Sequence, residues 1–177
     1  MIDLSTIVVA DSAGEPVRIG EIVDRPTMVD VVRYYGCPPC RLFLDQIAER
    51  MPQIEAAGGG ALGIGPRAAY QAAGLQRRGI PFPLLLDPAH HVGRAVGLRR
   101  QSLLRFVFDL RAWGRWLRAF LRKGQGMVTG GWWEVPAVLV LDADARVVWA
   151  HRGRSIGDYP SIDESMQQLL AATESAR

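Results

Sequence analysis

Cys37 and Cys40 are the only cysteines in this chain, separated by Pro38 and Pro39. A C-x-x-C between a strand and a helix is the layout of a dithiol redox site. Thr27 to Tyr34 reads as the strand, and the helix is predicted from about 38 to 56, ending at the Gly58-Gly59-Gly60 breaker. A sulfur at a helix N-terminus meets unpaired N–H groups and the positive end of the dipole, and both favour thiolate over thiol. Cys37 is therefore the expected nucleophile, the more acidic and the more exposed of the two, with Cys40 one turn on as the resolving partner. Neither proline carries an N–H, so the first local donor to the Cys37 sulfur is the Cys40 amide or thiol. Two other readings compete: inert cysteines, or two thiolates of a zinc site completed by His90, His91 or His151. The histidines lack the spacing of a zinc motif, so no metal and no cofactor is expected.

The elements around this pair are those of an ordinary soluble globule. The 177 residues are 49% apolar and 22% charged, enough for one α/β domain with a full core spanning 1–177. Two cysteines so close together cannot brace a secreted fold. Ile7–Ala10 is too short for a signal-peptide core and no run of about eighteen apolar residues occurs, so the expected location is cytoplasmic. The net charge of +3 is unevenly placed: residues 99–123 hold eight basic residues against Asp109 alone, a local +7 that leaves −4 for the remainder. The basic character belongs to one segment and does not indicate nucleic-acid binding.

Short strands are expected over 5–23, then the apolar strand 27–34, the helix from 38, a strand at 61–64, a helix opened by Pro66, a strand at 82–86 and a helical turn from Asp87 to about Val96. After the basic segment, Val138–Leu141 and Arg146–Ala150 flank Asp142-Ala143-Asp144-Ala145 as an antiparallel hairpin, and Ile162–Ala172 closes the chain as a helix. This order is that of a thioredoxin-like α/β fold: a central mixed sheet flanked by helices, here with a helical insertion at about 99–123. Val135-Pro136 falls just before the hairpin, where such folds hold a cis-proline against the dithiol, so Pro136 is expected to be cis and in contact with Cys37.

The run Arg33-Tyr34-Tyr35-Gly36-Cys37-Pro38-Pro39-Cys40-Arg41 resembles the active-site segment of the peroxiredoxin-like branch of the alkyl hydroperoxide reductase/thiol-specific antioxidant (AhpC/TSA) families. Val140–Val148 resembles their late hairpin. The resemblance implies an oxidoreductase in which Cys37 and Cys40 reduce a peroxide or a disulfide, with electrons from a thioredoxin-like protein or a low-molecular-weight thiol. Two departures bear on the substrate. Tyr34 stands where those proteins place a hydroxyl residue that helps hold the peroxide, and Pro136 stands where they keep an activating arginine. Arg33 or Arg41 is left to supply that charge, and disulfide reduction is expected to outpace peroxide reduction.

Asp30, in the apolar strand, lies near the place where thioredoxins bury an aspartate that handles the second cysteine's proton. Its competing reading is a carboxylate at a strand edge. Arg111, Arg115, Arg118 and Arg122 recur along one helix face, with Trp113, Trp116, Leu117, Phe120 and Leu121 on the remainder. Such a helix fits a membrane surface or an acidic partner. The simpler reading is that its aromatics join the core and its arginines are solvated. A second functional class follows from this segment: a redox-sensing module in which Cys37–Cys40 oxidation changes how 99–123 is presented to a partner.

Overall fold

The computed structural model describes residues 1–98, 109–130 and 134–176. Eight strands form one sheet: β1 (Ile2–Asp3), β2 (Val8–Ala10), β3 (Pro16–Arg18), β4 (Thr27–Val31), β5 (Gly60–Gly65), β6 (Leu84–Leu86), β7 (Ala137–Leu141) and β8 (Arg146–Arg152). Their order is β1-β8-β7-β4-β5-β6-β2-β3. Pairing is parallel between β4 and β5 and between β5 and β6, and antiparallel elsewhere. The helices are α1 (Ile19–Ile22), α2 (Pro38–Ala56), α3 (Ala69–Arg77), α4 (His91–Ala95), α5 (Leu110–Lys123) and α6 (Ile162–Ser175). This is the mixed, thioredoxin-like sheet flanked by helices that the element order implied.

β4 is central, between β5 and β7, and every residue of it is buried. That burial explains its run of valines and its lack of apolar–polar alternation. Successive side chains still point to opposite faces. Met28 enters the core layer under α2 and α6, with Phe43, Leu44, Ile47 and Leu169. Val29 and Val31 enter the opposite layer with Leu62, Ile64, Leu139 and Leu141. Asp30 shares the Met28 face by this period, so the strand register aims its carboxyl at the α2 layer.

Several boundaries differ from expectation for local reasons. The last of the strands expected over 5–23 stops at Arg18 as β3 and gives way to α1, because Glu21 reaches back to the Arg18 N–H and starts a turn. The helix after Pro66 begins three residues later, at Ala69, behind Ala68 in a left-handed conformation. Asp87 accepts the His91 and Val92 N–H groups at 2.9 and 2.8 Å, which places α4 beyond the Asp87-Pro88 turn. Of the expected helical segment 99–123, the part at 110–123 is α5; residues 99–108 lie outside the described residues.

α5 packs on α2. Ala112 and Ala119, seven residues apart, are its buried positions, and their small side chains let the helices approach closely. Asp109 caps its first turn through the Ala112 N–H at 2.8 Å. Lys123 Nζ pairs with Asp45 at 2.5 Å, and Arg41 donates to the Lys123 carbonyl at 3.0 Å. These ties hold α5 alongside the N-terminal half of α2.

Candidate active site

Cys37 is the residue that precedes the first turn of α2, with Pro38 and Pro39 at the next two positions and Cys40 third. The prolines fit because the first helical N–H groups have no intrahelical partner to lose. The chain turns into the helix through the Cys37 N–H to the Tyr34 carbonyl at 3.1 Å, and the helix ladder starts with the Arg41 N–H to the Cys37 carbonyl at 2.9 Å. Both cysteines are free thiols.

Arg33 supplies the charge at this junction. It is buried, its Nη1 donates to Cys37 Sγ at 3.5 Å, and its Nε donates to the Glu134 carbonyl at 2.7 Å. Its guanidinium lies 5.7 Å from the centre of the Tyr34 ring. Arg41, the other candidate, turns away to Lys123. Burial of Cys37 opposes its thiolate. The Cys40 side chain, the Arg33 charge, the Cys40 N–H and the Arg33 N–H outweigh that burial, and together they lower its pKa from 9.0 to about 7. Cys40 goes the other way: burial raises its pKa well above the usual thiol value, and its hydrogen bond to Cys37 and the charge there add to it. Two thiols one helical turn apart thus have opposite acidities.

Cys37 is not the more exposed thiol: both cysteines are 0% exposed. The segment after α5 lies against the turn that precedes Cys37. The Gly126 N–H donates to the Gly36 carbonyl at 3.0 Å, and Gln125 Nε2 donates to Tyr34 Oη at 3.1 Å. The two glycines touch, since a Cβ on Gly36 would lie 2.5 Å from the Met127 carbonyl oxygen and one on Gly126 would lie 2.7 Å from Gly36 Cα. Gln71 Nε2 holds the Met127 carbonyl at 2.7 Å from the other side. Residues 125–127 therefore lie as a strap across the Tyr34–Gly36 turn.

Pro136 departs from expectation as well. No cis peptide bond occurs among the described residues, so Val135–Pro136 is trans. The segment runs extended into β7: Glu134 gives its carbonyl to Arg33, and Pro136 gives its own to the Gly153 N–H at 2.9 Å. With Ala137 paired to Arg152 at the next residue, the chain enters the ladder without a kink. The segment is tied to the dithiol through Arg33.

Asp30 is fully buried, and neither carboxylate oxygen has a hydrogen-bond partner. Burial, and then the charge of Cys40, raise its pKa well above the usual carboxylate value. The third group in this interior is Tyr159, which the sequence reading missed. Its ring stacks on Phe43 of α2 at 4.5 Å between centres, its hydroxyl is shut away from solvent, and Asp30 and Cys40 act on it electrostatically. It lies in the loop between β8 and α6, with no motif around it to signal a role. His90 is paired with Glu134 at 3.2 Å and His151 faces Asp158. A cavity of about 340 Å³ lies at the ends of β4 and β5, lined by Val32, Gly65, Asp87, Arg94 and Glu134 among others, and neither cysteine lines it.

A dithiol at a strand-to-helix junction, with one acidic and one suppressed thiol beneath a mixed sheet, defines a thiol oxidoreductase of thioredoxin-like fold. The AhpC/TSA family model matches residues 3–150, and the chain belongs to that family. A search of curated proteins by sequence finds no match. Among solved structures, the peroxidoxin BcpB from Mycobacterium tuberculosis is similar over 97% of this chain and 93% of its own, with 17% identity and a TM-score of 0.66. The bacterioferritin comigratory protein of Xanthomonas campestris, described for alkyl peroxide reduction, is similar over 98% of this chain and 94% of its own, with 16% identity and a TM-score of 0.66. A putative thiol:disulfide interchange protein DsbE from Chlorobium tepidum is similar over 97% and 96%, with 16% identity and a TM-score of 0.58.

Proposed function

We propose that the protein is a thiol peroxidase in which Cys37 is the peroxidatic nucleophile and Cys40 resolves it. The observation that carries this reading is the Arg33 guanidinium on Cys37 Sγ beside an acidic Cys37 and a suppressed Cys40. The Cys37 thiolate attacks one peroxide oxygen and the O–O bond breaks, giving Cys37 sulfenic acid, while the departing alkoxide or hydroxide takes from solvent a proton equivalent to the one Cys37 released on ionising. Arg33 offsets the negative charge on sulfur before attack and on oxygen after it. It supplies the positive charge that relatives take from an arginine at the place of Pro136.

Cys40 then attacks the sulfenic sulfur. A disulfide forms and the hydroxyl leaves as water, with the Cys40 proton balancing the step. In this reading Asp30, which interacts electrostatically with Cys40, takes that proton first. Burial disfavours two negative charges side by side, yet a proton passing from Cys40 to Asp30 leaves the buried charge count unchanged. The Tyr159 hydroxyl shares this interior with both groups and interacts electrostatically with each. Two equivalents of an external thiol, from a thioredoxin-like protein or a small thiol, return the disulfide to the dithiol.

The substrate order differs from the one expected from sequence. The kinked proline surface that would dock a protein disulfide is not formed, and the 125–127 strap crosses the turn that leads into a Cys37 with no exposed surface. A small peroxide needs far less displacement of that strap than a folded protein does. Disulfide reduction is the second reading, favoured by Tyr34 in the place of the peroxide-holding hydroxyl. A cytoplasmic location suits a dithiol that must be kept reduced. No helix among the described residues is long and apolar enough to cross a membrane.

Stopped-flow thiol oxidation by hydrogen peroxide, and by a model disulfide, tests the assignment. Cys37→Ser is expected to abolish the reaction with peroxide. Cys40→Ser is expected to react once and accumulate a sulfenic acid that a dimedone probe traps. A chain that reduces the disulfide rapidly and ignores peroxide refutes the peroxidase reading. Binding changes on oxidation without turnover under a thiol reductant would establish the redox-sensing module instead.

A further inference from the structure

α5 presents three faces. Placing residues at about 100° intervals puts Ala112 and Ala119 on the side that meets α2. Leu110, Trp113, Leu117 and Leu121 then fall in an arc of about 80°, and Arg111, Arg115, Arg118 and Arg122 in an adjoining arc of about 60°. The leucine stripe faces outward: Leu110 is 81% exposed, Leu117 51% and Leu121 76%, with Trp113 at 41%. Among the described residues, Trp116 and Phe120 are half-buried. Trp116 and Phe120 stack on each other at 5.0 Å along the flank, and neither enters a core cluster.

The charges are equally one-sided. α5 contains four arginines and Lys123 and no acidic residue. Lys123 is neutralised by Asp45, and Arg115 is engaged with Ser155 at 2.7 Å. Arg111, Arg118 and Arg122 are exposed and have no ion pair among the described residues. Large exposed leucines beside unpaired arginines on a helix about 21 Å long are an unfavourable surface for water alone.

We propose that α5 is a membrane-docking helix that lies in the plane of an anionic lipid surface, with the leucine stripe in the acyl boundary and Arg111, Arg118 and Arg122 on the headgroup phosphates. An anionic bilayer matches both faces at once, since it takes an apolar arc and an adjoining cationic arc without shape-specific pockets. The rest of the chain repels it: residues 99–123 carry +7 and the remainder −4, so an approaching negative surface is steered to this helix.

The test is co-sedimentation of the full chain with vesicles of phosphatidylglycerol and phosphatidylcholine, and with vesicles of phosphatidylcholine alone. Binding is expected to the anionic vesicles, weakened by added salt, with little to the neutral ones. Arg111→Gln/Arg118→Gln/Arg122→Gln is expected to lower affinity about 100-fold, at about one kcal/mol per arginine. Leu117→Gln/Leu121→Gln is expected to lower it by a similar factor, from the burial of two leucines. All five positions are exposed, and circular dichroism checks that the variants remain folded. No binding to anionic vesicles at low salt overturns the proposal, as does binding that either variant leaves unchanged. A dimer of the free chain that Leu117→Gln/Leu121→Gln dissolves, or tighter and salt-resistant binding to an acidic polypeptide, assigns the stripe to protein contact and equally overturns it. Vesicle binding involves no redox step, so its outcome is separable from that of the peroxide assay.

Discussion

Replacing Arg33 with Gln removes the guanidinium from Cys37 while leaving a polar side chain of moderate length in its place. The lowering of Cys37 from 9.0 to about 7 is a net preference for thiolate of about 3 kcal/mol. That net value already absorbs an opposing contribution from burial, so the favourable contributions sum to more than it. Arg33 supplies two of them, its charge and its N–H, beside the Cys40 side chain and N–H. Losing both is expected to raise the Cys37 pKa by at least about one unit, which takes the thiolate at neutral pH from about half to about a tenth. The assay is the pH dependence of iodoacetamide alkylation at Cys37, read by mass spectrometry of the Cys37-containing peptide with Cys40 retained, with and without Arg33→Gln. At neutral pH the variant is expected to react about 5-fold more slowly, and the two rates are expected to converge once the pH exceeds both pKa values. Arg33→Lys keeps the charge and is expected to recover part of the shift. Stability follows by linkage. A folded-state pKa below the unfolded value contributes stability that is fully present above pH 9.0 and lost as pH falls through about 7. The pH-dependent part of the deficit in Arg33→Gln is therefore expected to grow as pH rises from about 7 to 9.0. An unchanged alkylation pKa in Arg33→Gln would show that Cys40 and the helix terminus alone acidify Cys37, and the charge argument would fail.

Asp30→Asn removes a buried carboxyl whose folded pKa is raised above 3.8, a shift whose stability is present below that value and lost as pH rises through the folded pKa. The variant is therefore expected to gain on the parent as pH rises from about 4, by roughly 1–3 kcal/mol, in denaturant melts. Parallel pH profiles would mean that Asp30 is not titrating in the interior. Tyr159→Phe deletes a hydroxyl that lowers the Cys40 pKa, so resolution of the Cys37 sulfenic acid is expected to slow several-fold while the alkylation pKa of Cys37 stays in place. Stopped-flow fluorescence separates the two phases, and equal slowing of both would assign Tyr159 to packing through Phe43 alone.

What the sequence determined about this protein is local chemistry and periodicity. Two cysteines at the head of a predicted helix, two prolines between them and an arginine four residues earlier are short-range features, and α2 begins and ends where the composition places it. The apolar runs at 27–34 and 138–141 identify strands, and the first reads as buried on both faces because such a strand has no room for alternation. The aspartate in the first of these runs was visible, yet its direction was not. That depends on a one-residue register in β4, which only pairing with β5 and β7 sets.

The tertiary structure decided everything that depends on contacts between distant segments. Cys37 reads as exposed from its place on a turn, and is buried, while residues about ninety positions later cross the turn before it, glycine against glycine. Pro136 reads as a kink from its place before a hairpin, and is extended because Gly153 and Arg33 take the carbonyls on either side of it. Tyr159 carries no sequence signal because its relation to Asp30 and Cys40 exists only across the core. The periodicity of α5 showed two faces, one basic and one apolar. Which apolar positions pack depended on the shape of α2, and the close fit went to Ala112 and Ala119, leaving the leucines in water. A sequence records which side chains a segment carries; their burial is a property of the surface brought against them.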